Sequence, residues 1–256
     1  MKRAADGQPG CGMVVGANRG IGLALVEGLL AAGDDSNVIA VHRPSAGLDQ
    51  LYALADRFGE RLRLRSLDFT SEENLKDFVR YLQEQEGGID LTIHAAGMLH
   101  QNDVQPEKTF KQCRASHLLR LFEVNSIYPL MVAQALLSAQ PRKQAFTFAA
   151  LSAMVGSIGD NRLGGWYGYR ASKSALNQFI KTLSIECNSK FPRAAIVAIH
   201  PGTTDTDLSR PFQRNVRPGK LYTPQQTASR ILDVVRQMDE NQSGQFLNWN
   251  GRQIPW

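Results

Sequence analysis

Short apolar runs alternate with longer segments of helical periodicity along almost the whole chain. The apolar runs predict strands at residues 11–15, 38–41, 62–67, 91–94, 145–150, 194–200 and 244–249. Apolar residues at helical spacing predict helices at residues 21–32, 48–58, 71–85, 118–139, 169–188 and 225–238. Regular alternation of strands and helices is typical of a parallel sheet covered on both faces. The pattern therefore predicts a single doubly wound, Rossmann-like α/β domain with a mainly parallel sheet.

The start of the chain and one loop depart from this alternation. Residues 1–10 are polar and lack the apolar segment of a secretory signal, so we expect a disordered tail before a domain of residues 11–256. Residues 209–222, rich in Arg, Pro and Gly, follow a predicted strand. Because open α/β sheets bind ligands beyond the carboxyl ends of their strands, this segment is either a mobile substrate loop or an ordinary surface loop.

Composition narrows the class of protein. The 256 residues are 43% hydrophobic and 21% charged, as in an ordinary globular protein, and no apolar run approaches the roughly 18 residues that span a bilayer. Three scattered cysteines form no disulfide framework, which fits a reducing cytoplasm. The net charge is +5, aromatic residues are not interleaved with the arginine clusters, and the five histidines show no paired spacing. We expect a cytoplasmic protein with no membrane, nucleic-acid or metal partner.

Three glycines with the spacing G-x-x-x-G-x-G stand between the first predicted strand and the first predicted helix. Glycine lets the backbone approach a pyrophosphate closely, and a helix N-terminus offers free N–H groups to that group. This context predicts a dinucleotide site that includes Gly16, Asn18, Arg19, Gly20, Ile21 and Gly22. A strand–helix turn without a ligand is the alternative.

The end of the second predicted strand bears on the choice of dinucleotide. A carboxylate there would bind both ribose hydroxyls and select NAD, but the chain has His42, Arg43 and Pro44. The Arg43 guanidinium matches the geometry of a 2′-phosphate, and Arg19 can approach the same phosphate from the glycine turn. The sequence therefore favours NADP(H) over NAD(H) as the cofactor.

A tyrosine and a lysine stand one helical turn apart at the start of a long predicted helix. Tyr169 and Lys173 share a helix face because residues i and i+4 are neighbours there. A free phenol has a pKa near ~10, and a neighbouring ammonium favours its phenolate form. The pair predicts an acid–base group, Tyr169, that donates a proton to a carbonyl oxygen while NADPH donates hydride to the carbon.

Together the glycine turn and the Tyr–Lys pair resemble the short-chain dehydrogenase/reductase family over most of the chain. The segments 156–161 and 164–177 look like its C-factor and carbonyl-reductase-like branch. The resemblance implies that Lys173 also binds the nicotinamide ribose and that Asn125 holds a proton-relay water. It also implies that this chain forms a homodimer or homotetramer, as many members of the family do. Trp166 and Tyr167 either line the substrate mouth or steady the loop.

The resemblance implies further cofactor contacts after three of the predicted strands. Asp68 and Phe69 stand where the family contacts adenine, although a helix-capping or loop role for Asp68 is equally consistent. The family's Asn-Asn-Ala-Gly element is replaced by His94, Ala95, Ala96 and Gly97, whose small residues still suit close approach to a cofactor. The family's P-G-x-x-x-T element, which holds the nicotinamide carboxamide and the pyrophosphate, is matched by Pro201, Gly202, Thr203 and Thr206.

The catalytic serine of the family is out of step in this chain. It should stand three residues before a glycine, but counting back from Gly156 leads to Ala153, with Ser152 one residue away. We expect Ser152 to orient the substrate oxygen beside Tyr169. The alternatives are that Ser152 faces away and a backbone group or water serves instead, or that Ser157 takes the role.

These expectations define a function hypothesis and its competitors. The first hypothesis is an NADPH-dependent reductase that converts a small carbonyl compound to an alcohol, or the reverse. Its catalytic residues would be Tyr169, Lys173, Ser152 and Asn125. The second is an NADP(H)-binding sensor or signalling protein of the same fold with little turnover. A third keeps the same residues but performs a dehydration or an epimerisation.

Overall fold

The computed structural model describes residues 10–33, 36–44, 47–85 and 87–256. Of the disordered tail expected at residues 1–10, residues 1–9 lie outside the described residues, whereas the carbonyl oxygen of Gly10 accepts a hydrogen bond from Asn37 N at 3.1 Å. The main strands are β1 (Cys11–Val15), β2 (Asn37–His42), β3 (Leu62–Ser66), β4 (Leu91–His94), β5 (Phe146–Leu151), β6 (Ala194–His200) and β9 (Phe246–Asn248). Two short strands, β7 (Thr203–Thr204) and β8 (Leu221–Tyr222), pair with each other.

Seven helices accompany these strands in the described part of the chain. They are α1 (Gly20–Leu30), α2 (Asp49–Phe58), α3 (Glu72–Gln83), α4 (Ala115–Phe122), α5 (Tyr128–Ala139), α6 (Tyr167–Lys190) and α7 (Pro224–Arg236). The main sheet has the order β3-β2-β1-β4-β5-β6-β9, and all six neighbouring pairs are parallel. The order reverses between β1 and β4, where doubly wound sheets form their ligand crevice. The structure confirms the predicted fold class.

Alternation of buried side chains along the strands explains the two layers of helices. Met13 and Val15 of β1 face one hydrophobic cluster, which includes residues of α3, α5 and α6. Val14 faces the other cluster, which includes residues of α1, α2 and α7. Successive strand residues point to opposite faces, so an almost wholly apolar strand such as β1 supplies both cores.

Two segments differ from the predicted elements. The helix predicted at residues 118–139 is α4 followed by a π-helical segment (Glu123–Ile127) and then α5. The loop predicted at residues 209–222 contains a 3-10 helix (Arg210–Asn215) and ends in β8. A π segment inserts one residue into a helix without changing its apolar character, so periodicity does not reveal it. No helix in the described ranges is long and apolar enough to cross a membrane.

Candidate active site

The carboxyl ends of the central strands bring most of the predicted site residues to one edge of the sheet. The backbone N–H of Gly16, after β1, donates to Val41 O at 2.9 Å, and that of Ala95, after β4, donates to Val15 O at 2.8 Å. The N–H of Ser152, after β5, donates to Ile199 O at 2.8 Å. These bonds hold the three turns in place, so that the loops beyond them surround a common crevice.

Close packing explains why glycines are needed in the turn after β1. Gly16 has φ +84°, and a Cβ there would lie 2.6 Å from Ala96 N. A Cβ at Gly22 would overlap the carbonyl oxygen of Gly16. Gly20 has φ +56° and packs against Thr206, whose Cγ2 would lie 3.2 Å from a Cβ at residue 20. The glycine turn, the Ala96 turn and Thr206 therefore line one narrow space.

The N-terminus of α1 opens into this space. Arg19 is the N-cap residue, and neither a side-chain cap nor an acidic first-turn residue is present among the described residues of this helix. Unpaired N–H groups and the positive end of the helix dipole favour an anion at such a terminus. Asn18 and Ile21 are half-buried beside it. The residues present fit a pyrophosphate.

The two arginines proposed to bind a 2′-phosphate lie in different segments: Arg19 is in the glycine turn, and Arg43 follows β2. Arg19 Nη1 lies 3.1 Å from Asp207 Oδ2, and Asp207 also pairs with Arg210 at 2.9 Å. Arg43 is exposed and directly follows β2. An exposed ion pair is weak, so the Arg19 side chain can exchange Asp207 for another anion at small cost.

The residues after β3 make contacts of their own. Asp68 Oδ1 accepts hydrogen bonds from Thr70 N at 2.9 Å and Thr70 Oγ1 at 2.7 Å, and these bonds lower the pKa of Asp68. The Phe69 ring stacks on Tyr128, with ring centroids 4.7 Å apart. These bonds fit the local loop role that the sequence left open for Asp68 as the alternative to an adenine contact.

Tyr169 and Lys173 are both buried on the first turns of α6. Tyr169 is 8% exposed, and burial raises the pKa of its phenol above the ordinary value. Lys173 Nζ donates to Leu151 O at 2.8 Å, and burial lowers its pKa to about 7. Desolvation disfavours the charged form of each group, so the phenol stays protonated and the lysine is about half protonated near pH 7.

Asn125 joins this pair through the π-helical segment. Its Oδ1 accepts from Met98 N at 2.8 Å, and its Nδ2 donates to Met98 O at 2.8 Å and to Ser172 Oγ at 3.0 Å. A Cβ at Gly97 would lie 3.5 Å from Asn125 Oδ1 and 3.6 Å from Lys173 Nζ. The structure therefore brings Asn125, Gly97 and Lys173 together. π segments often occur at functional sites because they displace one turn of a helix.

The serine positions do not match the expectation. The Ser152 hydroxyl donates to Asn177 Oδ1 at 2.6 Å and is buried, whereas Ala153 packs in the hydrophobic cluster that contains Tyr169. The Ser157 hydroxyl donates to Trp256 O and accepts from Asp160 N, so it ties down the C-terminus. This geometry speaks against Ser152 as the group that orients the substrate oxygen and favours the alternative in which Ser152 faces away.

An apolar wall, defined here as Trp166, Phe212, Leu208, Val155 and Ala153, packs against the hydrophobic cluster that contains Tyr169. The Trp166 ring lies edge-on to Tyr169 with centroids 6.1 Å apart, and Phe212 lies 5.1 Å from Trp166. The sequence analysis named Trp166 as a residue of the substrate mouth or its loop. It did not name Phe212, which lies within the possible substrate loop at residues 209–222.

His94 is a second residue that the sequence did not place in the site. It is 1% exposed, its Nε2 has no hydrogen-bond partner within the described ranges, and burial together with Lys173 lowers its pKa to about 3. A neutral imidazole therefore lies near the lysine. The replacement of the family's asparagine by His94 is the signal that could have drawn attention to it.

Comparison with known proteins agrees with this geometry. The sequence model of the family described as short chain dehydrogenase matches residues 11–217. Benzil reductase ((S)-benzoin forming) IRC24 of Saccharomyces cerevisiae is 29% identical over 269 residues, which cover 94% of this chain and 96% of that protein. The C-signal protein of Myxococcus xanthus is 29% identical over 140 residues, covering 54% of this chain and 78% of that protein.

A solved structure gives the same assignment. The NADPH-bound carbonyl reductase from chicken fatty liver superposes with a TM-score of 0.83 at 28% identity, and the match covers 97% of this chain and 99% of the other. The chain belongs to the short-chain dehydrogenase/reductase family of oxidoreductases. Within that family it falls in the carbonyl-reductase-like branch, as its sequence motifs predicted.

Proposed function

We propose that this protein reduces a carbonyl compound to an alcohol with NADPH, or catalyses the reverse reaction. The observation that carries the proposal is the burial of Tyr169 and Lys173 on one face of α6, beside Asn125 and Gly97 and at the same sheet edge as the glycine turn. A buried phenol and ammonium at the opening of a nucleotide crevice suit proton transfer coupled to hydride transfer.

In the proposed mechanism, Tyr169 donates its hydroxyl proton to the carbonyl oxygen of the substrate. Bound NADPH supplies the hydride. Burial raises the pKa of the Tyr169 phenol, so the protein must favour the phenolate by other means after the proton leaves. The Lys173 ammonium, on the same face of α6, would do so. Asn125 holds the π segment against α6 through Ser172 and is proposed to keep the proton-relay water.

The proposed cofactor site uses the residues that line the crevice. The glycine turn (Gly16, Asn18, Arg19, Gly20, Ile21 and Gly22) would hold the pyrophosphate with Thr206, and Arg19 and Arg43 would bind a 2′-phosphate. Further contacts are proposed for Asp68, Phe69, Ala95, Ala96, Gly97, Pro201, Gly202 and Thr203. NADP(H) is preferred over NAD(H), because Arg43 and Pro44, and not a carboxylate, directly follow β2.

The apolar wall near Tyr169 indicates the kind of carbonyl compound. Trp166 meets Tyr169 edge to face and Phe212 meets Trp166, so aromatic side chains lie near the phenol, and aromatic rings bind flat apolar groups well. The relative from Saccharomyces cerevisiae is named a benzil reductase. We therefore propose an aryl ketone or aryl diketone as the first substrate class, with benzil as the probe.

Substitution of Tyr169 by Phe tests the proposal. The variant keeps the ring but loses the proton donor, so kcat for NADPH-dependent benzil reduction should fall at least ~100-fold. The Kd for NADPH, measured by fluorescence titration, should stay within about twofold of the wild-type value. Tyr52→Phe is the matched control, since Tyr52 is an exposed residue of α2. Retention of most of the wild-type kcat by Tyr169→Phe would refute the assignment.

A sensor with little turnover is the second candidate function. It is favoured by one observation: Ala153 takes the place beside Tyr169 where a serine hydroxyl was expected, and Ser152 is bound to Asn177. A sensor would bind NADPH tightly but reduce no member of a broad panel of carbonyl compounds.

The oligomeric state is proposed to be a homodimer or homotetramer. Size-exclusion chromatography with light scattering would measure it.

A further inference from the structure

A buried carboxylate lies against the N-terminus of the helix that carries Tyr169. Glu107 belongs to the segment between β4 and α4 and is 3% exposed. Its Oε2 accepts a hydrogen bond from Gly168 N at 3.1 Å, while its Oε1 has no partner in the described part of the chain. Burial of a polar oxygen without a hydrogen bond destabilises the folded state. Packing alone therefore does not account for a glutamate at this buried position.

Glu107 binds the backbone at two points around the start of α6. Its carbonyl oxygen accepts from Trp166 N, and its side chain accepts from Gly168 N. Among the described residues, α6 has no side-chain N-cap bond of its own and no acidic residue in its first turn. The side-chain acceptor for a backbone N–H at this helix N-terminus is therefore supplied from a different segment of the chain.

The backbone held by these two bonds is strained. Trp166 has φ +52°, in the left-handed region that bulky side chains rarely adopt. Such a conformation persists only when its surroundings hold it, and the bonds from Glu107 flank it directly. The same conformation directs the Trp166 ring toward Tyr169, where the two centroids lie 6.1 Å apart.

The small size of Gly168 allows the carboxylate to come this close. A Cβ at Gly168 would lie 2.7 Å from Leu121 Cδ1, 2.8 Å from Leu118 Cδ2 and 3.0 Å from Glu107 Oε1. A glycine here lets α4 and the carboxylate both pack against the first turn of α6. Tyr169, the next residue, is thereby fixed relative to the β4–α4 segment.

We propose that Glu107 is a positioning residue for the reaction: it fixes the first turn of α6, and through that turn the Tyr169 phenol and the Trp166 ring. Glu107 acts through the backbone of residues 166–168 and touches no reacting atom. The catalytic consequence rests on the proposed function, whereas the effect on the first turn of α6 does not. The experiment measures the two separately.

Three variants of Glu107 separate acceptor, reach and charge. Glu107→Gln keeps an oxygen acceptor of the same reach, so its kcat should stay within about threefold of wild type. Glu107→Ala removes the acceptor and Glu107→Asp shortens it, so both should lower kcat at least tenfold with an unchanged Kd for NADPH. kcat is expressed per NADPH-binding site, so that loss of folded protein does not count as loss of catalysis. Glu107→Asp also serves if Glu107→Ala does not fold.

A matched control isolates loss of stability from loss of position. Ser71→Ala removes the side-chain cap of α3, where Ser71 Oγ accepts from Asn74 N at 3.2 Å. It should lower Tm without lowering kcat. Amide hydrogen exchange of residues 167–173 in the unliganded protein should be faster in Glu107→Ala and Glu107→Asp and unchanged in Glu107→Gln. This second readout needs no substrate.

The exchange and kcat measurements each have a result that overturns the proposal. Unchanged exchange in Glu107→Asp, or a kcat per site within twofold of wild type in both shortened variants, overturns it. An equal loss in Glu107→Gln and Glu107→Asp also overturns it, because the acceptor would then not matter. If the wild-type protein reduces no carbonyl compound, the proposed function fails, and the exchange experiment still decides whether Glu107 fixes the first turn of α6.

Discussion

At the scale of single residues, Ser152 and Ala153 divide two tasks between adjacent positions. Ser152 donates to Asn177 of α6 and so joins the end of β5 to the helix behind it. Ala153 packs in the cluster with Tyr169 and offers no hydroxyl to a substrate oxygen. A carbonyl that is reduced here would receive its hydrogen bond from Tyr169 without a serine partner. The sequence showed the misplaced serine but could not show which way its side chain turns, since that depends on Asn177, 25 residues away.

Exchanging the hydroxyl between these positions tests this division. Ala153→Ser places a donor beside Tyr169, so kcat/KM for benzil should rise roughly threefold to tenfold, as one added hydrogen bond at a developing oxyanion allows. Ser152→Ala should keep kcat/KM within about twofold but lower the free energy of unfolding by about 1 kcal/mol, measured by urea denaturation. A large loss of turnover in Ser152→Ala would restore Ser152 as the orienting group.

At the scale of elements, local pattern predicted the strands and helices well but not their interruptions. The strands β1, β4 and β6 begin and end at the predicted residues. The π segment Glu123–Ile127 was predicted as ordinary helix, because its side chains keep the apolar character of the helix around it. Asn125 within it was identified only through resemblance to a family. The spacing of apolar residues thus predicts which face of an element is buried. It does not predict how the helix backbone accommodates one extra residue.

The glycine turn before α1 gives a prediction at this scale. Gly22→Ala would drive a Cβ into the carbonyl oxygen of Gly16, so the turn must open. We expect NADPH affinity to fall at least tenfold and the free energy of unfolding to fall by about 1–3 kcal/mol, as for other overpacked sites. Gly33→Ala is the matched control, since a Cβ there meets nothing within 4 Å. Equal NADPH affinity in the two variants, by fluorescence titration, would contradict a pyrophosphate site at this turn.

At the scale of the whole molecule, the fold buries basic groups whose charged forms are disfavoured by desolvation. Burial lowers the pKa of His94 to about 3, that of His200 to about 4 and that of Lys173 to about 7. His94 and Lys173 lie in the candidate site, which shows that the crevice is built at a cost to stability. None of this was predicted from the sequence, because desolvation depends on segments that only the tertiary fold brings around a side chain. Glu107 and Phe212 were missed for the same reason.

The lowered pKa of Lys173 makes stability depend on pH in a stated direction. The unfolded chain binds a proton at this lysine up to its ordinary pKa of 10.5, whereas the folded protein releases it near pH 7. Between these values the unfolded state holds more protons, so stability rises with pH. The penalty is fully present below about pH 7 and fades as the pH rises. From pH 7 to about 8.5 the gain should be about 1.5 kcal/mol in the unliganded protein.

Replacement of Lys173 by Met should remove this pH dependence. We expect the free energy of unfolding of the wild type, measured by urea denaturation, to rise between pH 7 and about 8.5, and that of Lys173→Met to stay nearly constant over the same range. Lys190→Met is the matched control, since Lys190 is an exposed residue paired with Glu186 on the same helix and should leave the wild-type slope unchanged. Saturating NADP⁺ adds a positive nicotinamide beside the phenol and should strengthen the preference for phenolate, so Tyr169 would then offset part of the lysine's penalty. A wild-type slope that Lys173→Met leaves intact would mean that the lysine is charged in the folded protein without cofactor, and that its ammonium is already in place before the cofactor binds.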